Sequence, residues 1–315
     1  MRVDILLSIY NGEKYLPELL NSLEAQTFTN WRLVVRDDGS NDASCLVIKN
    51  FKSKYPEKVL FIEEQSGCNM KPAKSFFFLL KYVEAEYVMF CDQDDVWLPQ
   101  KIESTIEEMK VSDPDLPTLV HTDLTVVDEK LNIINESFWQ YQNIHPQKKS
   151  LNQLLIQNNI TGCTALINRK LLELVRTYNE NMIMHDWWIG LMAAAFGEIK
   201  FINKSTILYR QHGKNDTGAK KYSLFYFFKQ MRNINKSIAS NKKIVNQGKA
   251  FISDYEDCLT NEQKELLNCV SSLFEMNRMN RLKGMIKQKL SKHGLIRTLG
   301  FYCIMMLSPK IRPLR

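Results

Sequence analysis

The 315-residue chain lacks any run of roughly 18 apolar residues, which excludes a helix that spans a bilayer. It also lacks paired cysteines: the seven stand at positions 45, 68, 91, 163, 258, 269 and 303, with no Cys-x-x-Cys among them. An odd, scattered set argues against a zinc ribbon or a disulfide frame and reads as free thiols in a reducing compartment. The opening residues, Met1 to Leu7, carry no signal-peptide layout, so the expected location is the cytoplasm. No Gly-x-Gly-x-x-Gly follows the first apolar run, which weighs against a Rossmann dinucleotide site. No aromatic-glycine RNA motif is present, and no nucleic acid is expected as a partner. Acid is missing from the end of the chain: from Asn277 to Arg315 there are ten Lys or Arg and no Asp or Glu. The rest is ordinary for a globular protein. At 44% apolar and 24% charged, the chain can fill the core of one large domain, with or without an appendage.

Apolar periodicity divides the chain. Asp4 to Ile9 is a strand-like run, and Leu16, Leu19, Leu20 and Leu23 then recur at helical spacing. Trp31 to Arg36 and Val59 to Ile62 read as the next strands, with a helix between them that Asp42 is placed to cap. A helix from Lys74 to Val83 precedes a buried strand at Tyr87 to Phe90, and Pro99 opens a helix through Met109. Strands alternating with helices predict a parallel, doubly wound sheet whose strand ends share one edge. Further on, Thr118 to Val127 reads as a longer strand and Leu131 to Phe138 as its returning arm. Helices are expected at Leu151 to Gln157, Leu171 to Tyr178 and His185 to Phe196, the last apolar almost all round. Short strands are expected at Ala165 to Asn168, Ile199 to Ile202 and Thr206 to Tyr209, and a loop at Gln211 to Ala219. After Lys220 the pattern turns helical, opening on Tyr222 and Phe225 to Phe228 and running to about Leu290. The expected division is therefore residues 1–219 as an α/β domain and residues 220–315 as a basic helical extension.

The polar clusters fall at strand ends. Asp92-Gln93-Asp94-Asp95 puts three carboxylates within four residues, directly after the Tyr87 strand. Hard oxygen ligands at Asp-x-Asp spacing suit Mg2+ or Mn2+, which in turn suit a diphosphate. A solvated acidic turn before a helix is the plain alternative. Ser8-Ile9-Tyr10-Asn11-Gly12 ends the first strand and Asp37-Asp38-Gly39-Ser40 the second.

Taken in order, Ile9-Tyr10-Asn11-Gly12, Asp37-Asp38-Gly39-Ser40, Asp92-Gln93-Asp94-Asp95 and His185-Asp186-Trp187-Trp188 resemble the GT-A glycosyltransferases of family 2. Phe90 to Pro99, with Tyr209-Arg210-Gln211-His212-Gly213-Lys214-Asn215 downstream, is most similar to the rhamnosyltransferase-type branch. The resemblance covers roughly residues 3 to 218 and implies a Rossmann-like mixed sheet flanked by helices, followed by the C-terminal helical extension. It implies an inverting, metal-dependent enzyme that passes rhamnose or a hexose from a UDP- or dTDP-linked donor to a polysaccharide or a lipid-linked oligosaccharide. Ser8, Tyr10, Asp37 and Asp38 then serve the nucleotide: a tyrosine ring can stack on a pyrimidine, and a carboxylate can accept from a base N–H or a ribose hydroxyl. Asn69, Lys71 and Lys74 fall between the third strand and the next helix, where a lysine can meet the pyrophosphate or simply be solvated surface, and Arg210 suits a phosphate. Asp94 is expected to ligate the metal and Asp92 to face the ribose or the metal. Asp95 ligates or positions, and the sequence does not separate the three. His212 would complete the metal shell, since imidazole is compatible with Mn2+. Asp186 becomes the general base for the acceptor hydroxyl, beside an apolar wall of His185, Trp187 and Trp188 that would raise its proton affinity. Trp187 and Trp188 can stack on an acceptor sugar or belong to the core. Thr161 to Thr164 can line the acceptor pocket, and nothing supports Cys163 as a nucleophile.

Two rivals are weighed. A sugar-phosphate nucleotidyltransferase shares the sheet and the metal, but would carry a Gly-rich, basic loop where Tyr10-Asn11-Gly12-Glu13 stands. A nucleic-acid binder would use only the tail. The tail, with an apolar core at Leu299 to Leu307 between Arg297 and Lys310, is expected to meet an anionic membrane surface from the cytoplasmic side. A seam on the catalytic domain or in a homodimer is the other use for it.

Overall fold

The computed structural model describes residues 1–63, 67–175, 177–213, 218 and 233–310. The chain divides into two compact units. The first comprises Met1–Tyr141, Ile160–Tyr178 and Met184–Lys220; the second comprises Gln142–Asn159, Asn179–Ile183 and Lys221–Arg315.

The first unit is built on one sheet, of nine strands among the described residues. It begins β1 (Val3–Ile9), α1 (Leu16–Glu24), β2 (Trp31–Asp37), α2 (Ser44–Lys54), β3 (Val59–Ile62), α3 (Pro72–Leu79), β4 (Tyr87–Cys91). β1 pairs in parallel with both β2 and β4, and β3 pairs with β2. The chain thus winds outward from β1 to β3 and crosses back to β4. The order reverses between β1 and β4, which is where an open α/β sheet leaves a crevice beyond its strand ends. The register Ile9↔Asp37 and Leu7↔Cys91 brings the first turn, the Asp37 turn and the acidic loop to that edge.

The second half of the sheet is mixed. Its strands are β5 (Val96–Trp97), β6 (Thr118–Val127), β7 (Ile133–Asn135), β8 (Leu166–Asn168) and β9 (Glu198–Arg210). The helices that follow in the chain are α4 (Lys101–Lys110), α5 (Phe138–Gln142), α6 (Leu151–Leu154), which belongs to the second unit, α7 (Arg169–Glu173) and α8 (His185–Phe196). The order β3-β2-β1-β4-β8-β6-β9-β5 runs across, with β7 added to β6. β8 is antiparallel to both β4 and β6, whereas β9 is parallel to β6. Every residue of β6 is buried, as a central strand covered on both faces requires.

Several local expectations are corrected. The two strands expected at 199–202 and 206–209 are one, β9. The exposed Asn203 and Lys204 interrupt its apolar pattern, and the register against β6 shifts between Thr122 and Thr125, so an irregularity in one long strand was read as a gap. Asp42 is not the cap of α2: Ala43 holds that position, and Asp42 accepts from the Ser44 N–H at 3.0 Å. The helix expected at Leu171 to Tyr178 lies earlier, because Asn168 caps α7 by accepting from the Leu171 N–H. The expectations for Lys214, Asn215, Tyr222 and Phe225 to Phe228 fall outside the described residues.

In the second unit, α9 (Ile234–Tyr255), α10 (Asn261–Ser271), α11 (Arg278–Lys287) and α12 (Leu295–Leu307) follow one another. Thr260 and Gln263 form a reciprocal capping box on α10, and Asn277 caps α11 through the Asn280 N–H. Arg281 is buried and donates to the carbonyls of Met305 and Ser308, fastening α11 to the end of α12. No helix among the described residues is long and apolar enough to cross a membrane.

Candidate active site

The first two strand-end turns interlock. Asn11 takes a left-handed backbone (φ 48°), which asparagine tolerates. Its N–H donates to Ser40 Oγ and its Oδ1 accepts from the Asn41 N–H, at 2.9 and 2.8 Å. The Gly12 N–H donates to Ser44 Oγ, and Glu13 accepts from the Ala43 N–H. Asp37 accepts from Gly39 and Ser40. Asp38 is buried: it accepts from Arg36 and from the N–H groups of Met70 and Lys71 at 2.8 and 3.0 Å. Both carboxylates are therefore braces of this edge, engaged within the protein. The Ser8 hydroxyl meets Ser75 Oγ at 2.7 Å. Tyr10 keeps an exposed ring (46%) at the end of β1, and Lys71 and Lys74 are exposed at the start of α3.

Gln93 ties the acidic loop to the first turn. Its Oε1 accepts from the Tyr10 N–H at 2.8 Å and its Nε2 donates to the Tyr10 carbonyl at 2.9 Å. The amide passes so close to Gly12 that a Cβ there would lie 2.4 Å from Oε1 and would push the Gln93 amide aside.

Asp94 and His212, 118 residues apart, meet with Oδ2 and Nε2 at 2.7 Å. The His212 ring stacks on Tyr15 at 4.9 Å between centroids. Tyr15 donates its hydroxyl to Glu129, and the Arg210 guanidinium lies over its ring at 4.7 Å. Arg210, expected to meet a phosphate, is instead buried among internal partners. It donates to the carbonyls of Asp94 and Glu129 and to the Glu18 carboxylate, while its N–H donates to Asp95 Oδ1 at 3.1 Å. It acts as the rivet between the end of β9 and the acidic loop.

Asp92, Asp95 and Cys163 bring their ligand atoms within 4.8 Å of one another. Asp95 is fully buried, and that burial, followed by the charges of Asp94 and Asp92, pushes its carboxyl well above the usual range. Burial likewise pushes the Cys163 thiol well up, so a neutral thiol is a poor match for a hard cation. Beneath them Lys101, buried over the Trp97 ring at 4.4 Å, is pushed down to about 8 by burial. Asp94 and His212 offer a carboxylate oxygen and an imidazole, donors that suit Mn2+ or Mg2+ better than a thiolate-seeking metal.

Asp186 sits in the first turn of α8, where a negative charge faces the positive end of the helix. Its Oδ2 accepts from the Gly162 N–H at 3.0 Å and its Oδ1 from the Trp187 N–H at 2.6 Å. Gly162 and Cys163 are consecutive, so one turn joins Asp186 to the Asp92–Asp95 cluster. His185 is buried with neither ring nitrogen hydrogen-bonded, packed at 4.2 Å from Phe76 and 5.1 Å from Phe90. Burial holds its pKa down to about 3. A Cβ on Gly162 would lie 2.7 Å from His185 Nε2. Trp188 is 1% exposed and belongs to the core, which corrects its expected place on an acceptor sugar; Trp187 is half-buried.

The fold thus brings Tyr10, Asp92, Asp94, His212 and Asp186 to one edge and places Ser8, Asp37, Asp38 and Arg210 beneath it as support. Gln93, Tyr15 and Glu18 were missed by sequence reasoning, and Gly162 was marked for the acceptor pocket but not as the partner of Asp186. Gln93 lay inside the acidic motif, and Gly162 inside a stretch already marked by its small residues, but their partners are far away in the chain.

Residues 4–175 match the family model Glycosyl transferase family 2. The dTDP-rhamnosyl transferase RfbG of Shigella flexneri is 26% identical over 273 residues, covering 79% of this chain and 90% of that protein. Uncharacterised glycosyltransferases of Nostoc sp. and Rickettsia conorii are 28% and 27% identical over 69% and 70% of the chain. The chain spans 66% of the length of the Nostoc protein and only 35% of the Rickettsia one. Among solved structures, the mannosyltransferase PcManGT from Pyrobaculum calidifontis, in complex with GDP-Man and Mn2+, superimposes with a TM-score of 0.56 at 14% identity, over 90% of this chain and 73% of that one. TarS of Staphylococcus aureus in complex with UDP-GlcNAc gives 0.53 at 17% identity, over 97% and 90%. At these identities the likeness is one of fold, and the fold is the GT-A mixed sheet.

Proposed function

The chain belongs to glycosyl transferase family 2, and from that premise we propose that it is an inverting, metal-dependent glycosyltransferase. The donor is a dTDP- or UDP-linked rhamnose or hexose, and the acceptor is a hydroxyl of a polysaccharide or a lipid-linked oligosaccharide. The carrying observation is the pairing of Asp94 with His212 at 2.7 Å, in the same acidic loop as Asp92, whose carboxylate gathers with Asp95 and Cys163 one turn from Asp186. The first unit is the catalytic part in this reading, and the second its helical extension. Seven free cysteines suit a reducing, cytoplasmic setting. RfbG, by its name, handles a dTDP-rhamnosyl donor, which favours rhamnose among the candidate sugars.

Asp94 and His212, with Asp92, would hold the metal. When bound, Mn2+ or Mg2+ supplies a Lewis acid that offsets charge on the leaving diphosphate. The remaining work falls to the chain itself. Tyr10 offers its exposed ring to the base. Gln93 and Arg210 keep the acidic loop in register with the first turn and with β9. Asp186 accepts the proton of the acceptor hydroxyl as that oxygen bonds to the anomeric carbon and the bond to the diphosphate breaks. The N–H groups of Gly162 and Trp187 fix both oxygens of its carboxylate, so it meets the acceptor in one orientation. No covalent enzyme intermediate is needed.

Equilibrium titration with UDP and dTDP, with and without Mn2+, tests the reading. Metal-dependent binding of at least one of them is expected. Binding equal in Mn2+ and in chelator, or none in either, contradicts it.

A further inference from the structure

The second unit carries a surface that this reaction does not use. α12 buries Gly300, Phe301, Ile304 and Met305 on one face. Its opposite face exposes Leu295 (73%), Leu299 (54%), Cys303 and Leu307 (55%), with Ile296 alongside. Residues four apart advance about 40° around a helix, so these four form a stripe roughly 120° wide along three turns. An apolar stripe of that length facing water is a sign of an absent partner.

The charge around it narrows the partner. Arg278, Lys283, Lys289 and Lys310 are exposed, and no acid occurs from Asn277 onward. α11 adds exposed Met279 (60%) and Ile286 (59%). Other cations of the segment are turned to internal work. Arg281 donates to the Met305 and Ser308 carbonyls, Arg297 to those of Gln142 and Asn143, and Lys287 pairs with Glu265. Tyr302, on α12, donates to the Met285 and Leu290 carbonyls. The buried face is therefore fastened, and the stripe is held outward. Two copies meeting stripe to stripe would bring the exposed Arg278, Lys283, Lys289 and Lys310 of both together, which like-charge repulsion disfavours. An anionic bilayer meets both features at once.

We propose that α12 is an in-plane membrane anchor. Leu295, Leu299, Cys303 and Leu307 enter the acyl boundary of a bilayer rich in anionic lipid, and the exposed cations of α11 and the C-terminal end lie among the headgroups. The helix is about 20 Å long, too short to cross the roughly 30 Å hydrocarbon core. It lies on the surface and would hold a transferase beside an acceptor carried on lipid.

Vesicle co-sedimentation of the full chain tests this without any turnover, so its outcome is separate from that of the proposed reaction. Phosphatidylglycerol-containing vesicles are expected to bind the protein and pure phosphatidylcholine vesicles to bind it weakly. Raising salt from about 0.1 M to about 0.5 M should reduce the binding. The variant Leu295→Ser/Leu299→Ser, whose sites are exposed and whose fold is checked by circular dichroism, should partition at least about tenfold less. Lys283→Glu/Lys289→Glu should lose the preference for anionic lipid. Absence of binding to anionic vesicles, or equal binding by wild type and Leu295→Ser/Leu299→Ser, overturns the proposal. So does a dimer in sedimentation velocity that the leucine variant dissolves, since the stripe would then be a seam between copies.

Discussion

Replacing Gly162 by alanine strikes the proposed base without touching it. The new Cβ would stand 2.7 Å from His185 Nε2, 3.3 Å from Cε1 and 3.5 Å from Asp186 Cβ. Ordinary contact needs about 3.5–4 Å, so the imidazole has to retreat by about 1 Å. Phe76 and Phe90 pack against that ring and leave little room for it. Overpacking of this kind costs about 1–3 kcal/mol, a fall in Tm of a few degrees for a chain of this size. Relief comes from a shift of the first turn of α8, which draws Asp186 away from the Gly162 N–H. A hydrogen bond to a charged group is worth about 1.5–3 kcal/mol. Gly162→Ala should therefore lower kcat by about 10- to 100-fold while nucleotide Kd is unchanged. His185→Ala added to it should recover much of the loss. The imidazole nitrogens have no hydrogen bonds to lose, and the space its ring vacates accepts the methyl group. Stopped-assay kcat, nucleotide titration and thermal melts on the four proteins of the cycle give the coupling. A Gly162→Ala enzyme with wild-type kcat and Tm, or strictly additive effects of the two substitutions, refutes the reasoning.

Other outcomes follow from the same geometry. Asp94→Asn should fold normally and lose transfer, with His212→Ala weaker in the same direction; near-normal turnover of Asp94→Asn in the presence of chelator removes the metal role. Asp186→Asn should reduce turnover by roughly 10²- to 10⁴-fold with nucleotide affinity intact, whereas loss of nucleotide binding with a normal rate per bound complex places Asp186 in the donor site. Acid should destabilise the fold through His185 and His293, both held neutral down to about 3 chiefly by burial. Below the unfolded value of about 6.5 only the unfolded chain takes up their protons. Their contribution is therefore complete above about pH 6.5 and is lost toward pH 3, at about 1.4 kcal/mol per pH unit for each. Thermal melts between about pH 7 and pH 5 should show the decline, and His185→Phe should lessen it; an unchanged slope in that variant contradicts the assignment.

Much of the scaffold was legible because it rests on local pattern. α8 is apolar almost all round and was readable from end to end as His185–Phe196. β6 was readable because Val and Thr dominate its ten residues, a β-branched composition that carries the strand through His121 and Asp123. β9 was not: Asn203 and Lys204 face solvent within a continuous strand, and only pairing with β6 carries the strand through them. The site divides in the same way. Asp92, Asp94 and His212 were visible as polar residues at strand ends. What Arg210 does was hidden, since its partners Glu18 and Glu129 are distant in sequence and take up the guanidinium that a phosphate would need. Trp187 and Trp188 look equivalent as letters, and helical geometry sends the second inward. The clamp of Gln93 on Tyr10 depends on the parallel pairing of β1 with β4, a contact that no local window contains.

The central claim is sugar transfer from a nucleotide-diphosphate donor, and product analysis tests it most directly. The purified chain is incubated with Mn2+ and a panel of nucleotide sugars, and separately with nucleoside triphosphates and sugar 1-phosphates. The account predicts slow, metal-dependent release of free dTDP or UDP together with free sugar from one member of the first panel, abolished in Asp94→Asn. Release of pyrophosphate with formation of a nucleotide sugar from the second panel, and no release of nucleoside diphosphate from the first, would contradict it.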